Sequence, residues 1–320
     1  MDVDRFIAEN RPTWDRLDYL ALRPRALSGE EIRELAVLYQ RTAGHLAYAQ
    51  ANFRDPEVIA ALTRRVVGAY AVLYGARRRT WRTVWRFFSE TFPLVFWQMR
   101  WYLLVSALAL FVPALAAGAW IDHSHSALNA TMPAAVREAY VNHDFSSYYS
   151  SEPSAAFASQ VYFNNVEVSM EAFAGGILFG LGTLAALFFN GLNLGVAGGL
   201  FYAVHRPGEF WGLVTPHGLL ELTSVTMAGA AGLRIGWALV RPGDYPRSVA
   251  LRQAGPEAIT LVIATILTLA VAGSIEGFVT GSGLPTALRV GTGALVEVVF
   301  LLWVILFGRA ARRRSLHRGR

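Results

Sequence analysis

The sequence contains no cysteine, which removes disulfides and thiolate metal centres together. It contains no lysine either: all 29 basic residues are arginine, a bias that codon usage in a GC-rich bacterial genome produces. Charge is scarce over the chain as a whole. Only 16% of the residues are charged, against about 25% in an ordinary soluble domain, and the shortage concentrates in the last two thirds of the chain. There is no phosphate-cradling loop, dinucleotide fingerprint or nucleophile elbow. The first 20 residues are polar and charged, so no cleavable leader is expected.

What fills the space is apolar. Hydrophobic residues make up 54% of the chain, in long runs. About 20 helical residues at 1.5 Å each cross the hydrocarbon of a bilayer. That length predicts an all-α, polytopic membrane protein with spans at 101–120, 170–189, 192–204, 217–240, 256–273 and 287–307. The third is short, so it is expected to tilt or to continue as a re-entrant piece through 210–214. A tight turn is expected at Asn190-Gly191 between spans two and three.

Arginine sets the orientation. Six lie between Arg77 and Arg100, whereas residues 121–160 hold only Arg137; further clusters follow span four and fill the tail 309–320. The positive-inside rule then places both termini in the cytoplasm of a bacterial inner membrane, with 121–165 as an outer loop. The same clusters account for the net charge of +6, so no nucleic-acid partner is expected. Residues 1–76 read as a cytoplasmic domain of three helices, the second opened by a capping box at Ser28 and Glu31. Residues 77–100 alternate aromatic and arginine faces, with Trp81 and Trp85 against Arg78, Arg82 and Arg86. That pattern suits a helix lying in the lipid interface.

Two kinds of intramembrane residue stand out. Glycines at four-residue spacing, Gly176/Gly180, Gly191/Gly195/Gly199 and Gly232/Gly236, let helices approach closely within one subunit or between two, and a dimer is the favoured oligomer. Ionisable residues are costly in a membrane and face partners, cavities or water. His217 and Glu221 are four apart, on one helix face, with Glu167, Glu171, His205 or Glu276 as groups able to complete a proton or metal site. Against a metal there is no second histidine in the helix, so no metal or other cofactor is expected. A capping or hydrogen-bonding role, with Glu221 accepting from asparagine side chains, is the plainer alternative. Glu297 falls near mid-span, too deep to meet Arg234. His45, among apolar neighbours, is expected to be structural.

Two blocks, FNNVEVSMEAFAGGILFGLGTLAALFFNGLNLG and PHGLLELTSVTMAGAAGLRIGWAL, resemble the SpoIIM (stage II sporulation protein M, DUF95) membrane protein family over about residues 87–310. The positions carrying the motif are Asn164, Asn165, Asn190, Gly191, His217, Gly218 and Glu221. The resemblance implies a non-enzymatic scaffold that self-associates and organises envelope or cell-wall-remodelling proteins. A transporter or channel using the polar cluster around His217 and Glu221, and a metal-dependent membrane hydrolase, are the alternatives from other classes.

Overall fold

The computed structural model describes residues 2–23, 27–53, 55–74, 81–145 and 154–318, and among these residues every regular element is helical. The chain forms two compact units, 1–84 and 85–320.

The first unit holds α1 (Val3–Ala21), α2 (Gly29–Asn52) and α3 (Pro56–Tyr74). The capping box is present: Glu31 N–H donates to Ser28 Oγ at 3.2 Å and Ser28 N–H to Glu31 Oε2 at 2.7 Å. The Ser28 amide holds the Glu31 carboxyl below the usual range. Asp55 accepts from the Glu57 and Val58 amides at 2.9 and 3.3 Å, with Pro56 at the first helical position, where its missing N–H costs nothing. Leu17, Leu20, Leu35, Leu38 and Ala69 pack as one cluster, and Phe6, Trp14, Ala49, Phe53 and Leu62 as another.

His45 is structural, as its neighbours imply. Trp14 Nε1 donates to His45 Nδ1 at 3.1 Å. Burial, with the Arg41 charge adding to it, pushes the imidazole below the usual histidine range. The unfolded chain therefore takes up a proton first, near pH 6.5. Stability from neutral His45 is present above that pH and is lost as pH falls through the window down to the folded value. Protection factors in α1 and α2 of the full chain, corrected for the slower intrinsic exchange at the lower pH, are expected to be smaller at pH 5.5 than at 7.5, and His45→Gln to abolish that difference. Equal protection of the wild type at both pH values would contradict it.

The second unit begins within a stepped helix. After α4 (Trp81–Arg86) comes a wide π turn at Phe87–Thr91, then α5 (Phe92–Gln98) and α6 (Arg100–His123). Trp81 and Trp85 are 79% and 65% exposed, and Arg82 and Arg86 are exposed beside them; Arg78 lies outside the described residues. The segment expected as an outer loop carries α7 (His125–Thr131), α8 (Ala134–Ala139) and a π turn at Tyr140–Asp144. Ile121, Val141, Phe201 and Phe210 fasten it to the helices below. Then follow α9 (Ser154–Ala174), α10 (Leu181–Ala203), α11 (Pro207–Val240), α12 (Arg247–Ile275), a π turn at Glu276–Thr280 and α13 (Thr286–Arg318).

Among the described residues, four stretches are long and apolar enough to cross a membrane: Arg100–His123, Leu181–Ala203, Arg247–Thr280 and Thr286–Ser315. The six expected spans reduce to these four by that measure, because α9 and α11 fall short of it. α11 has a physical reason. Ser224 to Gly232 are all buried, so small residues replace the bulky ones that a lipid-facing helix needs.

The boundary between spans two and three is corrected. The chain breaks at 175–180, and α10 runs unbroken through Asn190. Phe179 and Gly180 take positive φ values of 55° and 85°, which at Gly180 favours glycine by conformation, while a Cβ at Gly236 would run into the Gly180 backbone at 2.5 Å. Asn190-Gly191 looks like a turn but serves packing: Asn190 Nδ2 donates to the Ala186 carbonyl at 3.1 Å, while Gly191 rests on the Leu110 backbone. The expected short span 192–204 is the second half of α10. Likewise 210–214 is no re-entrant piece but the first turns of α11, and Pro216 lies inside that helix. The tail 309–318 continues α13 as helix.

Contacts fix helix direction. Gly191, Gly195 and Gly199 meet Leu110, Ala114 and Gly118 in order, so α6 and α10 run parallel. Asn165 meets Glu221 and Ala172 meets Gly232, so α9 parallels α11. Pro216–Gly293 and Thr223–Glu297 make α13 parallel to α11 as well, whereas Ser224–Thr268 and Arg234–Glu257 run α12 against it. Thus α6, α10 and α12 point one way, α9, α11 and α13 the other, with α11 in the middle.

Candidate functional site

The site grows from one turn of the central helix. His217 and Glu221 stand four residues apart on α11, hence on one face. That face meets α9 on one side and the π turn after α12 on the other. The π turn makes Glu276 and Thr280 neighbours on one surface, and both are buried. His217 Nε2 lies 3.7 Å from Glu276 Oε1 and 4.0 Å from Glu221 Oε2. One ligand atom from each of the three residues fits within 4.8 Å of the others. His217 is 4% exposed and Glu276 2%.

Each group is steered by a neighbour. Thr280 Oγ1 pairs with His217 Nδ1 at 3.1 Å, which turns Nε2 toward the carboxylates. Asn165 Nδ2 donates to Glu221 Oε1 at 2.8 Å. Glu276 Oε2, by contrast, has no hydrogen-bond partner among the described residues. Two carboxylates this close and this dry keep their places only if protons or a cation neutralise them. The arrangement can therefore exchange protons, hold a cation, or trade one for the other.

Of the residues that the sequence nominates, Glu276 joins His217 and Glu221, and Asn165 supports them. Glu167, Glu171 and Asn164 are exposed on α9 and do not. His205 is exposed at the α10–α11 turn, where its φ is +60°. Gly218 is buried against Val214. His123 and His125 are exposed in the outer segment and join no metal-type cluster among the described residues.

Glu297 belongs elsewhere. It accepts from Thr223 Oγ1 at 2.7 Å on the opposite side of α11 and borders an apolar cavity of about 680 Å³ with Phe111, Leu115, Gly195 and Leu222. Arg234 pairs with Glu257 at 2.7 Å, which agrees with the expectation that it does not reach Glu297. Ser224 bonds the Leu220 carbonyl and Thr268 at 2.7 and 2.6 Å, a helix–helix link and no catalytic triad. Thr280 and Thr223 were not singled out by sequence reasoning. A hydroxyl four residues after Glu276 is the signal that could have found Thr280.

Comparison with known proteins places this site inside a family segment. The model described as "Stage II sporulation protein M" matches residues 107–281, which include Asn165, His217, Glu221, Glu276 and Thr280 but not Glu297. A domain of unknown function (DUF8413) matches residues 4–75, the three N-terminal helices. An uncharacterized protein of Methanocaldococcus jannaschii is 29% identical over 119 residues, 37% of this chain and 67% of that protein. No solved structure matches the chain.

Proposed function

Because the chain belongs to the Stage II sporulation protein M family, whose model covers more than half of it, we propose that this membrane protein handles a cation at the buried His217–Glu221–Glu276 cluster. The supporting observation is the convergence of two carboxylates and an imidazole in a dry helix interior. Ionisable groups inside membrane helices mark ion and proton paths. The arginine distribution supports six crossings, with α9 and α11 counted, and cytoplasmic termini in a bacterial inner membrane.

Reconstituted into proteoliposomes, the wild type is expected to move protons or a divalent cation. Glu221→Gln is expected to reduce that flux by about tenfold or more, as loss of a buried ionisable relay group should. Absence of any proton, zinc or manganese flux in the wild type would sink this reading.

The assembly role implied by the resemblance, with self-association and envelope or cell-wall-remodelling partners, is the second reading. Its support is the family alone. The glycine ladders that a dimer seam would use are taken up by contacts within the chain. Co-purification of envelope proteins, unchanged by Glu221→Gln, would favour it. A metal-dependent hydrolase would use the same cluster and is distinguished by turnover of a substrate.

A further inference from the structure

Resting on the cation reading above, we propose that His217 Nε2, Glu221 and Glu276 together hold one divalent first-row transition-metal ion, of the zinc–manganese class. The distances suit such an ion. Zinc sits about 2.0–2.2 Å from nitrogen and oxygen ligands, so tetrahedral ligand atoms lie about 3.4 Å apart. The donors here stand 3.7 and 4.0 Å from the imidazole nitrogen, and closing the cage takes shifts of less than about 1 Å.

The surroundings are those of a ligand shell. Metal-bound histidines have their second nitrogen fixed by an outer partner, and bound carboxylates are themselves hydrogen-bonded. Thr280 meets the first need and Asn165 the second. An independent sign is Glu276 Oε2, an oxygen on a side chain 3% exposed that finds no partner among the described residues. Coordination through both oxygens of Glu276 would satisfy it.

Charge and donor type narrow the ion. Two carboxylates, a neutral imidazole and a divalent ion sum to zero, so no net charge is left in a low-dielectric interior. A sodium ion would leave one negative charge behind. Imidazole favours zinc, iron and nickel, whereas magnesium and calcium prefer all-oxygen shells. With no cysteine in the chain, soft thiolate chemistry is absent. The affinity order expected is zinc above manganese, with magnesium far weaker.

Cobalt(II) serves as the probe, titrated into purified full-length protein freed of metal by a chelator. One equivalent is expected to bind with visible d–d bands and to be displaced by zinc. Affinity is expected to fall by about 100-fold or more in His217→Ala and Glu276→Gln. Asn165→Leu, which removes an outer partner only, should keep the bands and weaken binding about 10–100-fold. Glu167→Gln, on the exposed face of α9, should change nothing. Folded wild-type protein that binds no cobalt, or cobalt bands that survive His217→Ala, would overturn the proposal. If proton flux still depends on Glu221 in a wild type that binds no metal, the broader cation reading stands and the metal assignment falls.

Discussion

Glu276→Leu is expected to make the metal-free protein more stable, raising its melting temperature by roughly 2–12 °C. An unpartnered buried polar oxygen costs about 1–3 kcal/mol. Each kcal/mol moves the transition by about 2–4 °C in a domain of this size class. Glu276 Oε2 is such an atom, and the leucine removes it while filling similar volume. Zinc should reverse the order. At about 100 times its dissociation constant a ligand adds about 2.7 kcal/mol to the state that binds it, so the wild type should gain several degrees and the leucine variant none. A carboxylate kept at the expense of stability has a use in the working protein. If Glu276→Leu instead melts lower without metal, Glu276 is a structural partner of His217 and the site reading loses its strongest support.

The second large effect lies in packing. Gly195→Leu is expected to destabilise the protein by about 3 kcal/mol or more and to leave little folded material in membranes. A Cβ at Gly195 would run into the Ala114 carbonyl, and the whole α6–α10 seam repeats the contact at Gly191 and Gly199. Backbone cannot step aside as a side-chain tip can. Gly255→Ala is the control, since nothing lies within 4 Å of its added methyl. Alanine there gains up to about 1 kcal/mol of helix propensity, so stability should hold or rise. Detergent-solubilised yield and melting temperature read both outcomes. Equal behaviour of the two variants would mean that α6 and α10 do not meet as described.

The helices themselves were legible in the sequence because their signals are local. Ser28 and Glu31 announce α2, and Asp55-Pro56 announces α3. The face shared by His217 and Glu221 follows from four-residue spacing alone. Its third member did not. Glu276 lies 55 residues beyond Glu221, and choosing it over Glu167, Glu171 or His205 takes knowledge of which helices touch.

The misplacement of the break between α9 and α10 has a similar origin. Asn190-Gly191 carries the usual composition of a turn, but that composition also suits a helix pressed against Leu110. The real break at 175–180 is marked by glycines too, and only the positive φ at Gly180 tells them apart. The expected span 217–240 starts ten residues after α11 does, because a proline at 216 has the composition of a helix opening. The helix opens at Pro207 instead, and Gly293 leaves room for the Pro216 backbone beside it. The central position of α11 also explains why hydropathy alone undervalues it.

The most direct test of the cation site is the X-ray absorption spectrum of the zinc-loaded full-length protein. The account predicts a first shell of nitrogen and oxygen at about 2.0 Å, outer-shell scattering from a single imidazole, and loss of that spectrum in His217→Ala. Two or more imidazoles, or an unchanged spectrum in His217→Ala, would place the metal at other histidines and contradict it.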